Sequence, residues 1–322
     1  MSALLVVRPS SLGDVVHALS IVPDVLRARP GTAIDWVCEP AFADLPALSP
    51  QVRNVIPFAL RRWRHALLQG DTWREAGAFR TAVRATRYEA ILDLQEQIKG
   101  GVVARIARGV RHGFDRASIR EPIATWFDDV HHRVSRDEHF ATRCRLLAGA
   151  ALGYTVDSPP KWNLAARGNA VVPPGHYAIA MHATSRASKL WPESNWRAVI
   201  EGFARAGIAT ILPWGEPAER ERSTRLARGI DGAVVPERQS LRAMASLLAD
   251  ADVVVGVDTG MTHLAAALGT PTIALFTQTD PRGAGVGITG PHARDLGGRG
   301  VVPEVDEVRA ALGELMRASP RC

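Results

Sequence analysis

Three short stretches of the sequence put hydroxyls, glycines and charge where a phosphorylated ligand could be held. In GVDTGMTHLAAALGTPTIALF (residues 256–276) an apolar run, Val253 to Val257, leads into Asp258, Thr259 and Gly260, a small-residue helical segment and a second apolar run, Thr272 to Phe276. That order reads as a βαβ unit of a parallel sheet. A hydroxyl and a glycine at a helix N-terminus offer free N–H groups to an anion, and phosphate is the usual guest. Asp258 is the odd member, because a carboxylate repels phosphate; it either holds a sugar hydroxyl or orients the turn. In HATSRASKLWPESNW (residues 182–196) the loop after a strand carries Thr184, Ser185, Arg186 and Lys189. Hydroxyls, backbone N–H groups and a cation are what a diphosphate needs, and the alternative is a solvated loop before an ordinary helix start. Lysine is scarce in this chain, at positions 99, 161 and 189 only, which gives Lys189 added weight.

A third stretch, SSLGDVVHAL (residues 10–19), puts Gly13 in a tight turn and Asp14 at the start of a helix. The helix N-terminus favours the charged carboxylate; a simple capping role explains an aspartate there equally well. In LPWGEPAERERS (residues 212–223), Glu219 is placed to accept from ribose hydroxyls or to pair with Arg222 one turn on. The run Arg61, Arg62, Trp63, Arg64 and His65, together with Lys99, Arg120 and His131–His132, forms a basic side in the first half. It suits an acceptor bearing phosphate or carboxylate, or is a solvated face; the Trp beside arginines suits a lipid headgroup region.

Two patterns are set aside. Residues 285–290 fit G-x-G-x-x-G but lack the strand and helix that a dinucleotide fingerprint needs. Asp250-Ala251-Asp252 resembles a metal-binding D-x-D but sits between a helix end and a buried strand with no ligand cluster, so no metal and no cofactor are expected. Neither G-x-x-x-x-G-K-[ST] nor G-x-S-x-G occurs, which disfavours P-loop and α/β-hydrolase readings.

These loops must be held by a scaffold, and 322 residues exceed what one core usually supports. Short apolar runs at 3–7, 33–38, 52–57 and 89–94 alternate with helical patterns, including one helix from Asp14 to about Ala28. Residues 116–145 read as irregular, ending in a helix to Leu152. The proline-rich segment 155–175 reads as a linker. A second series follows, with strands near 178–182, 208–213, 232–235, 252–257 and 272–276. The expectation is an α/β chain of two Rossmann-like domains with parallel sheets facing a central cleft, residues 1–160 and 161–322, the last helix being a candidate to pack back on the first domain. The net charge is +6, nearly all from arginine, and residues 61–145 carry 17 basic and 11 acidic residues. Such an excess suggests phosphorylated ligands or an anionic membrane surface; nothing points to nucleic acid. Three widely spaced cysteines, at 38, 144 and 322, fit a reduced cytosolic protein. The N-terminus reads as a first strand rather than a signal peptide, and no apolar run reaches the 18 or so residues of a membrane span.

In this order and spacing, SSLGDVVHAL, IPFALRRWR, HATSRASKLWPESNW, LPWGEPAERER and GVDTGMTHLAAALGTPTIALF resemble the ADP-heptose:lipopolysaccharide heptosyltransferase family. The resemblance runs from Val6 to at least Pro281, and V-D-T-G-x-x-H and K-x-W-P-x-x-x-W are its specific parts. It implies a GT-B fold and an inverting, metal-independent glycosyltransferase acting peripherally on the cytosolic face of the inner membrane. The wording is nearest the branch that moves L-glycero-D-manno-heptose from ADP-heptose to Kdo of Kdo2-lipid A; the branch acting on heptosyl-Kdo2-lipid A is the near alternative, and a non-catalytic nucleotide-sugar binding module the distant one. Through the resemblance, Asp14 is similar to the general base. Lys189, Thr184 and Ser185 match the diphosphate positions, Lys189 also stabilising the leaving group. Asp258 matches a heptose-hydroxyl contact, Thr259, Gly260 and His263 pyrophosphate and sugar contacts, and Glu219 a ribose contact. Arg61, Arg62, Arg64, Lys99 and Arg120 match the acceptor's anionic side. Two positions depart: His65 stands where lysine is common, and Glu96 where glycine often stands.

Overall fold

The computed structural model describes residues 2–166 and 175–318; the later part of the linker and Cys322 lie outside the described residues. The chain divides into two compact units, Met1–Asn163 and Leu164–Cys322. In the first unit the strands are β1 (Ala3–Val7), β2 (Ala33–Cys38), β3 (Val52–Pro57), β4 (Arg87–Asp93), β5 (Arg108–Phe114) and β6 (Val130–His132). They form one sheet in the order β3-β2-β1-β4-β5-β6, parallel throughout. All five residues of β1 are buried, as an unbroken Ala-Leu-Leu-Val-Val run requires when helices cover both faces. The chain winds one way from β1 to β3 and the other way from β4, so the crevice at the reversal opens beyond the C-terminal ends of β1 and β4. That is where open α/β sheets bind ligands.

The second unit repeats the pattern with β7 (Tyr177–Met181), β8 (Ala209–Ile211), β9 (Ala233–Val234), β10 (Val253–Val257), β11 (Thr272–Phe276) and β12 (Ala293–Gly297), ordered β12-β11-β10-β7-β8-β9 and again parallel. Its reversal lies between β7 and β10. Trp191 and Trp196 anchor the core, fully buried and crossed edge to face at 5.3 Å, and the Trp191 indole N–H donates to the Pro303 carbonyl at 2.9 Å. The final helix, Val305–Ala318, adds Val308, Leu312 and Leu315 to this second core, so its apolar face is used within its own unit.

Several sequence expectations need correction. The single helix from Asp14 to Ala28 is two helices, Leu12–Ala18 and Ile21–Ala28. Pro23 has no N–H to continue the ladder, and the Ser20 hydroxyl donates to the His17 carbonyl at the break. The segment read as irregular contains β6, and β5 and β12 were also missed. RGVRHGF, VHH and ARDLG carry little of the apolar pattern of a strand, because β6 and β12 are edge strands and only two β5 residues are buried. The front of the expected linker belongs to the first unit: Trp162 is buried and its indole N–H donates to the Val16 carbonyl at 2.6 Å. Asp252 of the discarded D-x-D accepts from the Tyr177 N–H at 2.8 Å and pairs with His176, so its carboxylate is engaged in fixing the start of β7.

Polar burial staples the first unit. Arg145 forms a two-pronged pair with Asp24, at 2.6 and 3.2 Å, between helices Phe140–Leu152 and Ile21–Ala28. Because both groups are buried, Arg145→Met is expected to destabilise this unit by about 3 kcal/mol, leaving Asp24 buried and without its main partner; urea denaturation measures it as a fall in midpoint.

Asp93 and Asp128 are a costlier feature. Both are buried, both oxygens of Asp128 lack a hydrogen-bond partner among the described residues, and Gly113 makes room for them, since a Cβ there would lie 1.9 Å from Asp128 Oδ2. Burial pushes the Asp128 carboxyl up to about 7, against the pull of Arg111; burial and the Asp128 charge raise Asp93 as well. A carboxyl with a raised folded pKa binds more protons folded than unfolded, so stability falls as pH rises from about 4 to about 7. Asp128→Asn should therefore stabilise the protein over wild type increasingly across that window, by on the order of 3 kcal/mol at its top. Urea titrations at the two ends of the window test the sign.

Candidate functional site

At the reversal of the first sheet, the loops after β1 and β4 are bound to each other. Leu94 N–H donates to the Val7 carbonyl at 3.1 Å, and Ser10 N–H donates to Gln95 Oε1 at 3.2 Å. Asp14 lies in the first turn of helix Leu12–Ala18, and its partners converge on one oxygen. Oδ2 accepts from Arg8 at 2.7 Å, from the Ser11 N–H at 3.0 Å and from the Ser11 hydroxyl at 2.8 Å. The capping role and the functional role are thus compatible: Oδ2 caps, and Oδ1 has no hydrogen-bond partner among the described residues. Burial pushes the Asp14 pKa up, but the Arg8 charge and the Ser11 hydrogen bonds outweigh it and hold the carboxyl below its ordinary value. It is therefore ionised at neutral pH with a free lone pair, as a proton acceptor must be.

Arg8 is the residue that sequence reasoning missed. It is 4% exposed, donates to the Leu94 carbonyl, and lies 4.6 Å over the Phe140 ring. A charged residue closing an all-apolar strand was the available signal. Lys99 stands beside this group, its ammonium donating to the Ser10 hydroxyl at 2.7 Å; burial lowers its pKa, while Glu39 and Asp14 raise it and Arg61 and Arg8 lower it. Arg61 pairs with Glu39 at 3.0 Å. Asp14, Lys99 and Arg61 therefore meet as one charged cluster. Arg62 does not join it and pairs with Glu75 at 2.6 Å. Arg64 donates to His65 at 3.3 Å, and Arg120 is exposed with no ion pair among the described residues. The expected interfacial ring is not one: Trp63 is buried against Phe58 and Phe79, with its N–H on Glu75 at 2.8 Å. His131 and His132 are also engaged, on the Thr125 carbonyl and on His112.

Glu96 has φ of 60°, in the left-handed region that favours glycine, which accounts physically for the glycine expected at this position. It is held there by Arg143 at 2.5 Å.

In the second unit the loops after β7 and β10 likewise meet. Lys189 Nζ lies 2.5 Å from Asp258 Oδ2, which also accepts from Thr279 at 2.6 Å, while His263 Nε2 lies 3.4 Å from Oδ1. Burial alone would raise the Asp258 carboxyl, but these three partners hold it far below the ordinary carboxylate range. Thr184 donates to the Asp258 carbonyl at 3.2 Å. Thr259 stands at the N-cap of the helix Gly260–Ala267 without a side-chain cap; its carbonyl accepts from the Thr262 and His263 N–H groups at 3.0 and 3.3 Å, and the Gly260 and Met261 N–H groups are left without an acceptor in the helix. Ser185 is exposed beside Thr184. Gly256 is required beneath the turn, because a Cβ there would lie 2.1 Å from Thr262 Oγ1. Thr279 was not anticipated; a threonine just beyond a buried strand at the sheet's C-terminal edge was its only mark. Glu219 caps its own helix, accepting from the N–H groups of Gly215 and Glu216 at 2.7 and 3.2 Å. Arg222 pairs instead with Glu193 at 3.0 Å, so the expected Glu219–Arg222 pairing does not form. The glycines of 285–290 serve Asp295, which accepts from Val286 and Gly287 N–H at 2.7 and 2.9 Å.

The sequence model of glycosyltransferase family 9 (heptosyltransferase) matches residues 76–294. The chain belongs to this family. A lipopolysaccharide heptosyltransferase 1 of Escherichia coli strain K12 is 41% identical over 282 residues, covering 86% of this chain and 88% of that protein. The structure of the E. coli heptosyltransferase WaaC with ADP superposes with a TM-score of 0.91 at 37% identity, over 98% of this chain and all of that one. WaaC with ADP-2-deoxy-2-fluoro heptose gives 0.87 over 98% of this chain and 99% of that one, also at 37% identity. With two parallel six-stranded sheets, this heptosyltransferase is a GT-B glycosyltransferase.

The Asp258 cluster generates an order of effects. Thr279→Val removes one neutral donor of similar shape and should cost about 1 kcal/mol of stability. Lys189→Met leaves a part-buried carboxylate without its cation and should cost about 3 kcal/mol. Equal effects in urea denaturation would show that the ammonium is not the main partner of Asp258.

Proposed function

We propose that this heptosyltransferase moves L-glycero-D-manno-heptose from ADP-heptose to Kdo of Kdo2-lipid A, with inversion at the anomeric carbon and no metal. The observation that carries the reading is Asp14, ionised, anchored through one oxygen by Arg8 and Ser11 and free at the other. In an inverting transfer the acceptor hydroxyl attacks the anomeric carbon from the face opposite the ADP, and a carboxylate must take its proton as the bond forms. Oδ1 of Asp14 is that acceptor. Lys99, Arg61, Arg64 and Arg120 offer cations to the carboxylates and phosphates of the acceptor; Arg62 contributes once released from Glu75.

The donor residues act on the other side of the reaction. The amide groups at Thr259 and Gly260, the hydroxyls of Thr184 and Ser185 and the Lys189 ammonium are the groups that would stabilise the negative charge accumulating on departing ADP. Asp258, oriented by Thr279 and His263, offers its carboxylate to a heptose hydroxyl, and the free oxygen of Glu219 reaches for the ribose. The likeness to WaaC, solved with ADP and with an ADP-heptose analogue, supports this donor. Among the described residues no helix is long and apolar enough to cross a membrane; the acceptor's lipid places the enzyme peripherally, at the cytosolic face of the inner membrane.

Asp14→Asn is expected to lower kcat by about three orders of magnitude with the ADP-heptose dissociation constant unchanged. Transfer should proceed on Kdo2-lipid A and not on heptosyl-Kdo2-lipid A; preference for the second acceptor overturns the assignment. Because Arg8 holds the Asp14 carboxyl down, the wild-type rate should stay level with falling pH until below the ordinary carboxylate range of about 4. In Arg8→Met, with burial unopposed by that charge, the acidic limb should move upward. An unmoved limb in kcat-against-pH profiles refutes Asp14 as the group titrated.

A further inference from the structure

The first unit displays apolar surface that neither its core nor the acceptor chemistry explains. Between the short helix Leu60–Trp63 and the helix Gly70–Arg84, the chain turns out a knuckle on which Leu67 is 56%, Leu68 102% and Trp73 66% exposed. The knuckle is braced from within. Thr72 Oγ1 donates to the Ala66 carbonyl at 2.8 Å, the Trp73 indole N–H donates to the Leu67 carbonyl at 2.9 Å, and Gln69 N–H donates to the Ala66 carbonyl at 3.0 Å. The one polar atom of Trp73 is thus already satisfied, and its ring can leave water without losing a hydrogen bond. At the base, Trp63 and Phe79 root the segment in the core. A preshaped apolar tip on a rooted stem pays little ordering entropy when it enters an apolar phase.

The charges around the tip decide which phase. Residues 60–75 hold four arginines against Asp71 and Glu75, and Arg64 has no acidic partner among the described residues. Arg61 and Arg62 are 60% and 64% exposed even in their pairs. Exposed aliphatic and indole side chains with arginines close by in the chain match the boundary between acyl chains and anionic headgroups.

We propose that the Leu67–Leu68–Trp73 knuckle docks the protein on an anionic lipid bilayer, its three apolar side chains entering the headgroup–acyl boundary while the neighbouring arginines meet the headgroups. The proposal rests on the reading that the acceptor is a membrane lipid, but its test needs no turnover. Cosedimentation is measured with vesicles of phosphatidylcholine alone and of phosphatidylcholine with phosphatidylglycerol, at low and high salt, without donor or acceptor. Wild type should bind the anionic vesicles, less so at high salt. Leu67→Ser/Leu68→Ser/Trp73→Ser should bind at least about tenfold more weakly, with an unchanged urea midpoint and unchanged transfer to an acceptor sugar lacking acyl chains. Should the triple variant fold poorly, Leu68→Ser alone, at a fully exposed position, should still weaken binding by a few-fold. Wild-type binding by the triple variant overturns the proposal. So does an equal loss in Trp126→Ser, which removes an exposed indole elsewhere, or a dimer abolished by the triple variant with no vesicle binding. Failure of transfer to every acceptor would instead refute the reading of the preceding section and leave the vesicle result standing.

Discussion

Everything functional in this molecule depends on where each sheet reverses its winding. A parallel sheet must cover both faces with crossover helices, and the chain meets that demand by filling one side from a central strand before crossing to the other. Next to that strand, the loops of two neighbouring strands leave in different directions and no helix fills the gap. In the first unit the gap receives Arg8 to Asp14 from one loop and Gln95 to Lys99 from the other. In the second it receives Thr184 to Lys189 and Asp258 to Gly260. Nothing else in the sequence would bring residues 89 or 69 positions apart to within a hydrogen bond of each other.

Each gap is organised by one carboxylate whose burial is offset by a cation. Arg8 does this for Asp14, and Lys189 for Asp258, with neutral donors from Ser11 and Thr279 completing the work. The consequence is similar at both sites: an aspartate kept ionised in a partly dry place, its orientation set before any ligand arrives, through one oxygen at Asp14 and through both at Asp258. Such preorganisation is what electrostatic catalysis requires, because dipoles and charges that are already aligned cost nothing to reorganise during reaction. The arrangement also accounts for an aspartate, Asp258, beside a turn proposed to hold phosphate. Its charge is compensated by Lys189, so the turn meets an anion as a neutral pair plus free N–H groups.

The surrounding framework tolerates local costs to keep these loops in place. Glu96 holds a left-handed backbone conformation and is retained by Arg143, while Asp93 and Asp128 are buried close behind the β4 loop with little compensation. Gly113 and Gly256 allow side chains to approach the backbone where any Cβ would collide. Trp191 and Trp196, the aromatic residues of the loop motif, act from the core and fix the point from which Lys189 departs.

The sequence alone carries the α/β class of the chain, its family and the loop residues proposed for the donor. Buried parallel strands are continuous apolar runs, and loops that hold phosphate need hydroxyls, glycine and a helix start; both requirements are local, so both are written in consecutive residues. The strands at β5, β6 and β12 escaped because partial exposure or an edge position removes the apolar pattern by which a strand is recognised. Trp63 and Trp73 illustrate the deeper limit. Both stand among arginines, and only packing decides that the first is rooted against Phe58 and Phe79 while the second faces solvent. Arg8, Thr279 and the pairing of Lys189 with Asp258 were likewise decided by tertiary structure alone. Ion pairs and burial join residues that the sheet order, not the sequence interval, makes neighbours, and a side chain's charge state and exposure exist only once those neighbours are in place.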